Sequence, residues 1–200
     1  DRLEEEMSKQ NININIHLGA EVFFNFNLLD ISYNPLTTFC NGKYMLIEFQ
    51  NHFFPKGYAQ HLYDLKMSGI TPIIAHPERY KPIQDNVDIV ERLINSGCII
   101  QIDAGSILGH FGKECEASAR LMLIKKMVHI IGSDSHSTTG KRNFCLKEAI
   151  EAIQVFLDYD INDLVNKNPQ KVICGDKIIP FEIIKSKKKN IFSYFLKNKW

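Results

Sequence analysis

No apolar run in the sequence approaches the ~20 residues that a bilayer-crossing helix requires, so a transmembrane reading fails. There is also no CxxC pair, and the five cysteines (Cys40, Cys98, Cys115, Cys145 and Cys174) are an odd number. That excludes a disulfide scaffold and predicts reduced thiols in a cytosol-like, cytoplasmic compartment. Charge of one sign is missing too: 24 basic side chains meet 23 acidic ones for a formal net charge of +1. A near-neutral chain offers no basic stripe for nucleic acid. The first residue is Asp1, not Met, so the natural start is expected to lie upstream. What is present is 200 residues at 44% apolar, enough for one domain with a sizeable core.

Acids are absent after Glu182, where six lysines remain: Lys185, Lys187, Lys188, Lys189, Lys197 and Lys199. Subtracting these six from +1 leaves residues 1–182 at −5. The expected layout is a mildly acidic domain over 1–182 and a basic, aromatic tail over 183–200. Ile191, Phe192, Tyr194, Phe195, Leu196 and Trp200 alternate with the lysines, a pattern suited to weak contact with an anionic membrane surface. A solvated or self-docked terminus has the same composition.

Short apolar runs recur, each ending in a polar or charged group. Asn11–His17 alternates Asn with Ile and leads to Glu21; Tyr44–Ile47 ends at Glu48. Ile70–Ala75 ends at His76, Cys98–Ile102 at Asp103, and Val128–Ser133 at Asp134. Positions 21, 48, 76, 103 and 134 are 27, 28, 27 and 31 residues apart, the length of a strand–helix unit. Between them, helical periodicity is expected over Gly57–Ser68, Asn86–Ser96 (Asp85 as N-cap), Glu114–Lys126, Cys145–Leu157 and Asp160–Lys167. Near-continuous apolar strands alternating with helices predict an α/β fold with a parallel sheet, its reactive groups at the carboxyl ends of the strands.

Taken singly, these groups have plain structural explanations. Glu21 suits a helix N-terminus, His76-Pro77-Glu78-Arg79 a turn with a surface ion pair, and Asp134 an N-cap. Taken jointly, carboxylates and imidazoles at one rim require a cation, and mixed carboxylate–His ligation suits Mn²⁺, Fe²⁺ or Zn²⁺. Two such ions form the usual clamp for phosphoester hydrolysis by a bridging hydroxide. The cysteines carry no phosphate-cradle motif. His17, His61 and His129 read as ordinary residues, whereas His52 and His110 lie just beyond strand ends.

Gly19-x-Glu21, Ile47-Glu48-Phe49, His76-Pro77-Glu78-Arg79-Tyr80, Gln101-Ile102-Asp103-Ala104-Gly105-Ser106 with Gly109-x-x-Gly112, and Ser133-Asp134-x-His136 occur in this order. The set resembles the polymerase and histidinol phosphatase (PHP) superfamily, in its bacterial CpsB-type branch of capsular and exopolysaccharide tyrosine phosphatases. The resemblance implies a distorted (β/α)7 barrel, of which about five β/α units are present here and the first two are missing. It implies a manganese-dependent hydrolase of phosphotyrosine, acting on a tyrosine kinase that controls polysaccharide export. By resemblance, Glu21, Glu48, His76, Asp134 and His136 are metal ligands and Arg79 a phosphate-binding cation. Arg142, with Lys141 as the alternative, is the second such cation. Asp103 stands where the family more often has Asn and is read as shaping its loop with Ser106. The absence of the family's opening His-x-His predicts an incomplete metal cluster and weak or no activity for the segment alone. The alternatives are another PHP phosphoesterase, acting on histidinol phosphate or a similar small substrate, and a non-catalytic binding module.

Overall fold

A computed structural model describes residues 2–184. After a first helix, α1 (Arg2–Lys9), come β1 (Glu21–Phe23), α2 (Leu28–Ile31) and β2 (Tyr44–Glu48). Next are α3 (Tyr58–Met67), β3 (Thr71–Ala75), α4 (Lys81–Asp85), α5 (Asp88–Asn95) and β4 (Ile99–Asp103). The chain continues through α6 (Ala104–Ile107), α7 (Lys113–Ile124), β5 (Ile130–Gly132), α8 (Leu146–Gln154) and α9 (Asn168–Cys174). A π-helical turn over Asp163–Lys167 runs directly into α9. The five strands form one sheet in the order β1-β2-β3-β4-β5, and every neighbouring pair is parallel. This is the α/β arrangement that the spacing of the apolar runs predicts.

Period-two alternation sorts the strand side chains between two cores. Met45, Ile47, Ile74, Ile100, Ile102 and Ile131 face a large core. There they pack with Leu62 and Leu65 of α3, Val90 and Leu93 of α5, Met122 and Leu123 of α7, and Ile153 of α8. Tyr44, Ile73, Ile99 and Ile130 turn the other way, onto Val172 of α9 and Ile178. Each such buried aliphatic side chain contributes about 1.5–3 kcal/mol relative to exposure. Both faces are therefore covered, which explains why the strands read as unbroken apolar runs.

Two expectations are corrected. The Asn–Ile alternation of residues 11–17 carries no strand: Ile12, Ile14 and Ile16 are exposed, and β1 begins at Glu21 rather than ending there. A strand needs a paired edge, and among the described residues β1 hydrogen-bonds to β2 alone. Asp85 is not an N-cap; it closes α4 and pairs with Lys81, and the Asn86 side chain instead accepts the Asp88 N–H at the start of α5. The basic positions of the tail, from Lys185 onward, lie outside the described residues. No helix among the described residues is long and apolar enough to cross a membrane.

Two buried polar side chains tie the sheet to its surroundings. The Tyr80 hydroxyl, fully buried, donates to Ala75 O at 2.6 Å and accepts from Phe49 N–H at 2.9 Å, joining the ends of β2 and β3. His129 Nδ1 accepts the Ile100 N–H at 3.1 Å, and the His129 carbonyl accepts from Asn168 Nδ2 at 2.9 Å. Burial lowers the His129 pKa from 6.5 to about 4, so the ring is held neutral with its proton on Nε2.

Tyr80→Phe leaves the Phe49 N–H and the Ala75 carbonyl without that partner, and urea unfolding is expected to show a loss of about 1–3 kcal/mol. For His129 the linkage has a definite sign. Above pH 6.5 the ring is neutral in both states; between 6.5 and about 4 the unfolded chain binds a proton that the fold refuses. Stability from this group is thus lost as pH falls through that window, by about 3 kcal/mol in total. His129→Gln is expected to flatten this part of the acid limb relative to the parent, and an unchanged slope contradicts the assignment.

Candidate active site

The carboxyl end of β2 and the loops that follow β3 and β5 carry most of the predicted site residues, and Glu21 joins them from the start of β1. β1 and β2 pair with Phe23 opposite Glu48, and Ile47 of β2 lies opposite Ile74 of β3, so His76 falls just beyond the level of Glu48. His76 Nε2 lies 2.9 Å from Glu21 Oε1 and 3.6 Å from Glu48 Oε1. One ligand atom from each of the three residues lies within 4.8 Å of the other two. His76 is buried, Glu48 partly exposed and Glu21 exposed, which leaves the cluster open on the carboxylate side.

Two carboxylates here share one imidazole. Burial alone would lower the His76 pKa, but the hydrogen bond the ring donates to Glu21 and the charges of Glu78 and Glu21 outweigh burial and the opposing Arg79, and raise it. The ring is thus drawn to act as the local cation. Its Nδ1 is buried without a hydrogen-bond partner. Two carboxylate oxygens and an imidazole nitrogen converging on one point are a donor set that fits a divalent transition-metal ion, which would supply the counter-charge to the two carboxylates. Backbone conformation marks the same place: His76 has φ +30° and Asp134 φ +43°, left-handed values that cost non-glycine residues about 1–3 kcal/mol and gather at functional sites.

Beyond His76, the 3₁₀ turn Pro77–Arg79 sends two charged side chains inward. Glu78 is fully buried and its Oε1 accepts the Asp103 N–H at 3.0 Å. Burial raises its pKa. Arg79 Nη2 pairs with Asp103 and, at 2.8 Å, with Asp134 Oδ2. Burial disfavours the guanidinium charge, but Asp103, Glu78 and Asp134 outweigh it and raise the Arg79 pKa. Asp103 also caps α6 by accepting the Gly105 N–H at 2.8 Å. Its loop-shaping role is thus joined to an ion pair that the motif did not announce.

Arg142 Nη2 donates to Asp134 Oδ2 at 2.9 Å and approaches His136 Nε2 at 3.1 Å, while His136 Nδ1 donates to Asp134 O at 2.8 Å. Asp134 is pushed up by burial, yet the two arginines hold its carboxyl below the ordinary carboxylate range. Lys141 contributes its backbone carbonyl, 3.1 Å from His110 Nδ1. Of the seven predicted site residues, Glu21, Glu48 and His76 form one cluster, and Arg79, Asp134, His136 and Arg142 form a second. Arg79, three residues after His76, connects the two. Sequence reasoning missed Glu78 and Tyr80 as supports; their signal was membership of the His76–Tyr80 block.

The model of the capsular polysaccharide synthesis family CpsB/CapC matches residues 1–174. The chain is 32% identical over 192 residues to the "putative tyrosine-protein phosphatase CapC" of Staphylococcus aureus, covering 94% of this chain and 75% of that protein. It is 28% identical over 196 residues to the tyrosine-protein phosphatase YwqE of Bacillus subtilis, covering 98% of this chain and 77% of that one. A solved structure, from work on YwqE and on CpsB of Streptococcus pneumoniae as unique metal-dependent tyrosine phosphatases, superimposes with a TM-score of 0.84. That match has 26% identity and covers 94% of this chain and 76% of the other. With the matched region running through all five strands and both clusters, the chain belongs to the CpsB/CapC family.

Proposed function

We propose that this chain is a metal-dependent protein-tyrosine phosphatase. In this reading Glu21, Glu48 and His76, joined by Asp134 and His136, ligate divalent cations, and Arg79 and Arg142 hold the phosphoryl oxygens. The observation that carries it is the convergence of two carboxylates and one imidazole within 4.8 Å beside an arginine-rich cluster. When bound, divalent ions (Mn²⁺ foremost) supply Lewis acidity and lower the pKa of coordinated water. The chain's own residues do the rest. Glu21 and Glu48 orient around His76, and the two guanidiniums offer planar donors to equatorial phosphoryl oxygens as charge grows there. Asp134 holds both arginines at Nη2, which fixes the two guanidiniums relative to each other within the second cluster.

The buried thiols of Cys98 and Cys115 are poor nucleophiles for a cysteine-based alternative. Burial pushes Cys98 and Cys115 up to about 12, leaving almost no thiolate at neutral pH. The relatives' names as tyrosine phosphatases support phosphotyrosine in a protein as substrate, and the family's place in capsule synthesis supports a polysaccharide-export tyrosine kinase as its bearer. Sequential parallel strand order supports an arc of a PHP-type distorted (β/α)7 barrel.

With a phosphotyrosine peptide as substrate, chelation is expected to abolish turnover, Mn²⁺ to restore it and a thiol reagent to leave it intact. Chelator-resistant, thiol-sensitive turnover, or a preference for histidinol phosphate, contradicts the reading. Independently of turnover, Glu48→Gln is expected to weaken Mn²⁺ binding about tenfold or more by titration calorimetry, because one of the converging carboxylates is lost. Arg79→Ala is expected to cost about 100-fold or more in kcat/KM.

A further inference from the structure

The Arg79 side chain meets an aromatic face as well as carboxylates. Its guanidinium carbon lies 4.0 Å from the centroid of the Phe111 ring. Phe111 sits in the turn between α6 and α7, bounded by Gly109 at φ +76° and Gly112 at φ +101°. Gly105, in α6, allows that turn to settle: a Cβ there would lie 3.0 Å from Phe111 Cε2 and 3.1 Å from His110 Nδ1. The same region thus anchors Asp103 through the Gly105 N–H and seats Phe111 against the cation.

The donors of Arg79 are unequally used. Nη2 is committed to Asp103 and Asp134, and Nε is buried without a hydrogen-bond partner. Among the described residues no protein group accepts from Nη1. A guanidinium held at one nitrogen alone can still swing about its long side chain; a ring against its face removes that freedom. We propose that Phe111 is a positioning residue, fixing the plane of the Arg79 guanidinium so that its unpaired Nη1 edge is presented to a phosphoryl group. The inference rests on the reading of Arg79 as a phosphate-binding cation. Phe111 acts through Arg79 and does not itself touch the phosphate.

The test measures binding of inorganic phosphate to the Mn²⁺-loaded 200-residue chain by titration calorimetry, beside circular dichroism to confirm folding. Phe111→Leu keeps an apolar side chain without a π-face and is expected to weaken phosphate binding about three- to tenfold, whereas Phe111→Tyr retains parental affinity. A trifluorinated phenylalanine at 111 keeps the ring's shape while withdrawing its electrons. It is expected to weaken binding like the leucine variant, and it decides the matter should that variant not fold. Parental affinity in both the leucine and fluorinated variants overturns the inference, as does equal weakening in the tyrosine variant. Equal phosphate binding by the parent and Arg79→Ala instead removes the reading of Arg79, and this inference with it. If Arg79→Ala loses binding while the Phe111 variants do not, the role of Phe111 alone fails.

Discussion

Two carboxylates that share one imidazole at the rim of a parallel sheet set the terms for the rest of this structure. Glu21 and Glu48 both lie within 4 Å of His76 Nε2, and burial of the ring denies the charges the screening of bulk water. Like charges held so close require a counter-charge, supplied either by the protonated ring or by a bound cation. The fold commits binding geometry to this point at a cost in backbone strain, since His76 adopts a left-handed conformation immediately after β3.

That strain is contained by groups beneath the rim. Tyr80 closes the turn that begins at His76 by bonding the last carbonyl of β3 and the N–H that follows β2, while Glu78 accepts the N–H of the last residue of β4. One five-residue block therefore supplies a ligand candidate, a buried carboxyl, a cation and a strut. The alternating charges within it are mutually dependent: Arg79 balances Asp103 and Asp134 across the sheet, and Arg142 balances Asp134 from the far side. The result is two adjoining clusters of opposite character, one rich in carboxylate and one presenting guanidinium, the combination that binding of a metal and a phosphoryl group together demands.

The strands β2 to β5 were legible because burial on both faces makes a parallel strand a continuous apolar run, and each run here stops at a polar group. Helices α3, α5, α7 and α8 were legible from their apolar faces and their stops. Residues 11–17 show the limit of the same logic: their alternation suits a half-buried strand, but alternation cannot supply a partner edge. Glu78 was hidden because a glutamate between Pro and Arg reads as solvated; only the inward 3₁₀ turn buries it. Phe111 was hidden because contact with Arg79 spans a sequence gap that no local pattern records.

What the residues determined unaided was the alternation of strand and helix, the rim on which the polar groups fall, and the identity of the groups gathered there, since periodicity and side-chain chemistry are local properties. Which groups meet was decided in three dimensions. Strand register set His76 against Glu21 and Glu48, and the turn after β3 carried Arg79 across to Asp103, Asp134 and Phe111. Distances of a few ångströms between positions 24 to 55 residues apart depend on packing the whole sheet, because hydrogen-bond register and helix cover are shared by every strand at once.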